Sequence, residues 1–141
     1  MNAIDFLIKE HNKVRSMFAD INDDSHRFET QKKMFSLLAD ELIRHETIEH
    51  LVWYPHFKEN LPDTVKHLLT EEKHAEKAIK KLETLKTEPT WKEHFIKLKN
   101  AVEHHAQEEE KKLFPEVKKL LSEKELNDIG LKMYEFKQDN S

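Results

Sequence analysis

The chain has 141 residues, 37% of them charged, with a formal charge of −4 from 24 Lys and Arg against 28 Asp and Glu. That length closes one core rather than two, and the mixing of Lys and Glu along every segment argues against a nucleic-acid surface. With no Cys, disulfides, thiolate metal sites, iron–sulfur clusters and Cys nucleophiles are excluded together, so any metal must be held by nitrogen and oxygen.

A single Gly and four Pro leave a β-rich fold without residues to turn its hairpins, and the composition is that of long helices. The first predicted helix runs from about Ile4 to Ile21, with Ile4, Leu7, Ile8, His11, Val14, Phe18 and Ile21 on one stripe. Asn22-Asp23-Asp24-Ser25 breaks it. A second helix is predicted from about Phe28 to about Glu59, with Leu38, Leu42, His45, Glu49, Val52 and His56 stepping by four and three. Pro55 lies inside that pattern and should kink or loosen its last turn.

Pro62 is well placed to open a third helix, on which His67, Glu71, His74, Ala78, Leu82 and Leu85 are expected to share a face. After Thr87-Glu88-Pro89-Thr90, a fourth helix carries Phe95, Leu98, Val102, His105 and Glu109, and Pro115 repeats the late interruption. Ser122 with Glu125 reads as a capping box that starts a short terminal helix through about Lys137. Gly130 within it costs about 1 kcal/mol, for which the sequence offers no reason.

The expectation is an all-α, up-down-up-down four-helix bundle with a short C-terminal helix, residues 1–141 forming one domain. No apolar run approaches the ~20 residues needed to span a bilayer. The opening Met1-Asn2-Ala3-Ile4-Asp5 has neither a basic region nor an apolar stretch, so a cytoplasmic protein is expected.

One word is written twice. His45, Glu49, Tyr54 and Pro55 recur at the same offsets as His105, Glu109, Phe114 and Pro115, 60 residues later (105 − 45). An imidazole and a carboxylate four residues apart share one helix face, so both can address one metal ion. Two such helices facing each other bring two histidines and two carboxylates to a common centre, the construction of di-iron bundles. His11 on the first stripe and His74 on the third complete a set of six: His11, His45, Glu49, His74, His105 and Glu109. Buried imidazoles and carboxylates are expensive to desolvate unless cations compensate them. Nitrogen and oxygen donors without thiolate favour iron or manganese over structural zinc.

These residues resemble the hemerythrin-like family, the HHE cation-binding domain. The resemblance rests on Glu10-His11, His45-Glu46-x-x-Glu49 leading into Tyr54-Pro55, Glu72-Lys73-His74, and His105-x-x-x-Glu109 leading into Phe114-Pro115. It implies a four-helix bundle holding two iron ions in a non-haem, oxo- or hydroxo-bridged centre that binds oxygen, peroxide or nitric oxide. The roles it implies are oxygen binding and sensing, nitric-oxide response, iron sensing and catalase-like peroxide decomposition. The alternative is an iron-responsive module whose metal orders the bundle for a partner.

Two features depart from oxygen-carrying members. They have a second histidine four residues after the third-helix histidine, where this chain has Ala78, and an Asp five residues after the last histidine, where Glu109 follows His105 by four. That weakens a reversible carrier and favours turnover or sensing.

Other residues read more plainly. Glu46 is expected to be a solvated or supporting carboxylate rather than a ligand, and Glu71 or Glu72 could accept a proton from a ligating imidazole. Tyr54, whose repeat mate is Phe114, reads as a core aromatic, with a phenolate ligand as the alternative. His104 competes with His105, since Glu108 lies four beyond it, and the repeat register decides for His105. His56 and His67 read as end-of-bundle histidines, and Trp53 and Trp91 as packing residues.

Overall fold

A computed structural model describes residues 1–140, and the described residues are helical with no strand. Helix α1 spans Ala3–Ile21, its first turn closed by the Asn2 side chain accepting from the Asp5 amide at 2.9 Å. Helix α2 spans Phe28–Ile48 and runs into a π-helical turn, Glu49–Trp53, and a 3₁₀ turn, Tyr54–His56. Helix α3 spans Pro62–Thr84, with Pro62 in the first turn where its missing N–H costs nothing. Helix α4 spans Glu88–Glu108 and enters a second π turn, Glu109–Leu113, before α5 continues over Phe114–Leu120. Helix α6 spans Glu123–Asp139, and both arms of the Ser122–Glu125 capping box are formed, each at 3.1 Å.

The helices bury two apolar clusters rather than one continuous core. One gathers Ile4 and Leu7 of α1, Ile48, Trp53 and Phe57, Val65 and Leu68 of α3, Phe114 and Val117, and Leu126, Ile129 and Met133 of α6. The other gathers Val14, Phe18 and Ile21, Phe35 and Leu38, Ile79 and Leu82, and Trp91, Phe95 and Leu98. Between the clusters each of these helices turns polar side chains inward: Glu10 and His11, His45, Glu46 and Glu49, Glu72, and His105 and Glu109. That layer positions the site. Trp53 and Trp91 are fully buried, Trp91 stacked on Phe95 with ring centroids 5.1 Å apart.

The doubled word has a backbone counterpart. Each π turn starts at the word's glutamate, whose carbonyl accepts the amide of the aromatic five residues on, Tyr54 from Glu49 and Phe114 from Glu109. A proline ring clashes with the carbonyl four residues back, and widening the turn ahead of Pro55 and Pro115 relieves that conflict. The wider turn also returns residue i+5 near the face of residue i. The interruption therefore falls a turn earlier than Pro55 alone suggests, and the second helix ends at His56 rather than near Glu59.

Gly130 is explained by packing. A Cβ there would stand 2.7 Å from the Asn2 carbonyl carbon and 2.8 Å from the Ala3 nitrogen, and closer still to the Met1 oxygen. These are backbone atoms that cannot step aside, so only glycine lets α6 lie this close to the start of α1. Gly130→Ala is expected to destabilise the chain by about 1–3 kcal/mol through overpacking, against the gain of ~1 kcal/mol that helix propensity alone would give. Denaturant unfolding of the variant reads the sign directly.

Candidate metal centre

Glu49 and Glu109 stand at the centre of the polar layer, both 0% exposed. His45 Nε2 lies 3.1 Å from Glu49 Oε1, and His105 Nε2 lies 3.3 Å from Glu109 Oε1, the two i, i+4 pairs of the doubled word. His11 Nε2 approaches Glu109 Oε1 at 3.5 Å. The donor atoms fall into two overlapping triads, His11–His45–Glu109 and Glu49–His105–Glu109, each with its ligand atoms within 4.8 Å of one another. Glu109 belongs to both.

Each imidazole is held from behind by a carboxylate. His11 Nδ1 donates to Glu110 at 2.6 Å, His45 Nδ1 to Glu10 at 2.9 Å, and His105 Nδ1 to Glu71 at 3.0 Å. Such bonds aim each Nε2 at the centre and, in a neutral ring, fix the tautomer whose Nε2 lone pair faces inward. Glu10 is itself tied to Lys137 of α6 at 2.6 Å. Burial alone would raise the Glu10 carboxyl, but the hydrogen bond and charge of His45, with Lys137, outweigh it and hold it down at about 2.

The third helix does not contribute as expected. His74 is exposed and stands outside both triads. The interior position on α3 is taken by Glu72, which is 2% exposed. Its Oε2 lies 3.2 Å from His105 Nε2 and accepts the Tyr54 hydroxyl at 2.7 Å, while its Oε1 pairs with His50 at 2.5 Å. Burial would raise Glu72, but hydrogen bonds from His105, His50 and Tyr54 outweigh it and hold the carboxyl at about 2. The buried stripe on α3 is Val65, Leu68, Glu72, Ile79 and Leu82, about one residue round from the stripe His67–Glu71–His74–Ala78. An acid interrupting that apolar series was the available signal.

Sequence reasoning also missed Glu10 and Glu110 as braces. Glu46 is buried and lies against Glu76. Burial, the Glu76 side chain and the charges of Glu72, Glu76 and Glu49 push its carboxyl up to about 9. The Tyr54 hydroxyl donates to Glu72 at 2.7 Å, and burial, then the charges of Glu49, Glu109 and Glu72, raise it well above the usual phenol range.

The chemistry of the set fits a metal. His11 Nε2, His45 Nε2, Glu49 Oε1 and both Glu109 oxygens are buried without a hydrogen-bond partner, which is costly unless something else binds them. Burial, then Glu109 beside it, pushes the Glu49 carboxyl well above the usual range, as like charges at one site must. Cations at the two triads would satisfy every one of these atoms. The centre opens into a cavity of about 360 Å³, lined beyond the donors by Val14, Phe18, Leu42, Ile79 and Val102 and also by the charged Arg15, Lys99 and Glu103.

Burial would lower His105, but hydrogen bonds to Glu71 and Glu72 and the charges of Glu109 and Glu49 push it up to about 12. Burial would likewise lower His45, but Glu49 and Glu10 raise it well above its ordinary value. Without metal these surroundings favour the protonated form of both imidazoles, and a protonated ring must lose its Nε2 proton to ligate. Metal affinity is expected to rise with pH, and loading to release protons, measurable by calorimetry in buffers of different ionisation enthalpy. Uptake without proton release would contradict this protonation scheme.

The family model for the hemerythrin HHE cation-binding domain matches residues 2–117. An uncharacterized hemerythrin-like protein of Schizosaccharomyces pombe is 27% identical over 129 residues, covering 86% of this chain and 62% of that protein. The chain therefore spans under two thirds of that relative's length. A crystal structure of a hemerythrin HHE cation-binding domain-containing protein from Mycobacterium kansasii superposes with a TM-score of 0.84 at 26% identity, covering 98% of this chain and 86% of that one. With the matched model spanning the whole donor layer, the chain belongs to the hemerythrin HHE cation-binding domain family.

Proposed function

We propose that this chain is a non-haem di-iron protein that binds oxygen, peroxide or nitric oxide at an open iron position, in sensing or detoxification. The observation that carries the reading is the pair of donor triads sharing Glu109. One triad would make a single site; two triads with Glu109 in common would hold two ions side by side. The donors would be His11, His45, Glu49, Glu72, His105 and Glu109, with no thiolate, a set that suits iron. When bound, such a pair supplies redox equivalents and coordination positions left open to a small ligand.

The chain's own groups do the rest. Glu49 and Glu109 carry the negative charge that offsets the ions, and Glu10, Glu110 and Glu71 hold the three imidazoles in register. Val14, Phe18, Leu42, Ile79 and Val102 give the cavity an apolar side that would favour a small ligand over bulk water, while Arg15, Lys99 and Glu103 also line it. Tyr54 and Glu72 place a hydrogen-bond donor and a carboxylate beside the centre, and half-exposed His50 links Glu72 to solvent, so protons can be exchanged there. Oxygen and peroxide chemistry both need such exchange.

The test is metal content and peroxide consumption after aerobic iron loading. About two irons per chain are expected, with peroxide consumed by the loaded protein. Glu109→Ala and Glu72→Ala should lose iron and the reaction together, whereas His74→Ala should keep both. Full iron in Glu109→Ala, or a loss in His74→Ala equal to that in Glu72→Ala, would overturn the assignment.

A further inference from the structure

Helices α3 and α4 carry a second pair of His-x-x-x-Glu words that the buried centre does not use. His67 and Glu71 stand four apart on α3, and His104 and Glu108 four apart on α4, so each pair shares a helix face. Packing of the two helices brings the pairs together at the surface. His67 Nε2 lies 3.0 Å from Glu108 Oε2 and 3.5 Å from Glu71 Oε2. His104 Nε2 lies 2.6 Å from Glu108 Oε1 and 3.5 Å from Glu71 Oε2. Both imidazoles thus address both carboxylates, and the four groups close a ring.

The ligand atoms of His67, Glu71 and Glu108 already converge at coordination distances, and His104 stands beside them, against both carboxylates. With metal bonds of 2.0–2.1 Å to nitrogen and oxygen, the edge of a tetrahedron is about 3.3 Å. Three of the four contacts lie between 3.0 and 3.5 Å, and the ligand atoms of His67, Glu71 and Glu108 all fall within 4.8 Å of one another. Glu71 and Glu108 are 20% and 15% exposed, whereas His67 and His104 are 59% and 65% exposed. The carboxylates are therefore anchored in the helix interface and the imidazoles close over them from outside. Two carboxylates balance one divalent cation, and two imidazoles select a first-row transition metal over magnesium or calcium.

Glu71 faces both ways. Its Oε1 accepts from His105 Nδ1 at 3.0 Å while its Oε2 faces His67 and His104. We propose that His67, Glu71, His104 and Glu108 form an exterior site for a divalent first-row transition metal, zinc or ferrous iron, distinct from the buried centre and joined to it through Glu71. The site does not depend on which metal the interior holds.

Zinc titration of the purified chain, compared with His67→Ala/His104→Ala, tests it. The double variant should bind one equivalent fewer, or that equivalent at least about tenfold more weakly, the least loss expected when ligands are removed. Zinc entering the interior would add equally to both proteins and cancel from the difference. His74→Ala should titrate like the unmodified chain, and circular dichroism should show both variants folded. A zinc-edge anomalous peak about 2.1 Å from Nε2 of both His67 and His104 would place the ion. Identical zinc stoichiometry and affinity in the double variant, or displacement of the zinc by equimolar magnesium, would overturn the proposal.

Discussion

Two glutamates buried against each other are the constraint on which the rest of this structure depends. Glu49 and Glu109 lie at zero exposure, and three of their four carboxylate oxygens have no hydrogen-bond partner. Isolated, each buried charge would cost on the order of several kcal/mol, and the like charges add to that. The surroundings are built to accept cations at this point. Three imidazoles turn Nε2 inward, three further carboxylates hold them from behind, and the apolar clusters above and below keep the layer rigid. A carboxylate pair that only stabilised a bundle would be better replaced by leucine.

The backbone serves the same constraint. A π turn begins at each of the two glutamates and brings the aromatic five residues on back toward the same face. Phe114 thereby stacks parallel to His11, with ring centroids 6.2 Å apart, and Tyr54 reaches Glu72. The four-residue spacing from His to Glu is α-helical, and the five-residue spacing from Glu to aromatic is that of the wider turn. The word records both geometries, with the following proline as the reason for the change from one to the other.

Much of this was legible in sequence, for definite reasons. The starts of α1, α2, α3 and α6 followed from apolar periodicity, Pro62 and the Ser122–Glu125 box and matched closely because these signals act locally, whereas the end of the second helix did not, because the turn widens ahead of Pro55. His45, Glu49, His105 and Glu109 could be singled out because a repeat fixes their register without knowledge of the packing. The third helix had no repeat mate. His67, Glu71 and His74 formed a plausible stripe there, and only contacts with the other helices show that Val65, Leu68, Glu72 and Ile79 face inward. Glu10 and Glu110 were hidden for a related reason, since their partners lie 35 and 99 residues away. Gly130 was an unexplained cost until the backbone of Met1 to Ala3 appeared against it.

The central claim is that the buried carboxylates exist to hold two ions, so the most direct measurement is anomalous diffraction at the iron edge from crystals of the iron-loaded chain. The account predicts two peaks inside the layer, one beside His11 and His45 and one beside His105, both within bonding distance of Glu109. A single peak, or iron found only outside the layer with Glu49 and Glu109 still unpaired, would contradict it.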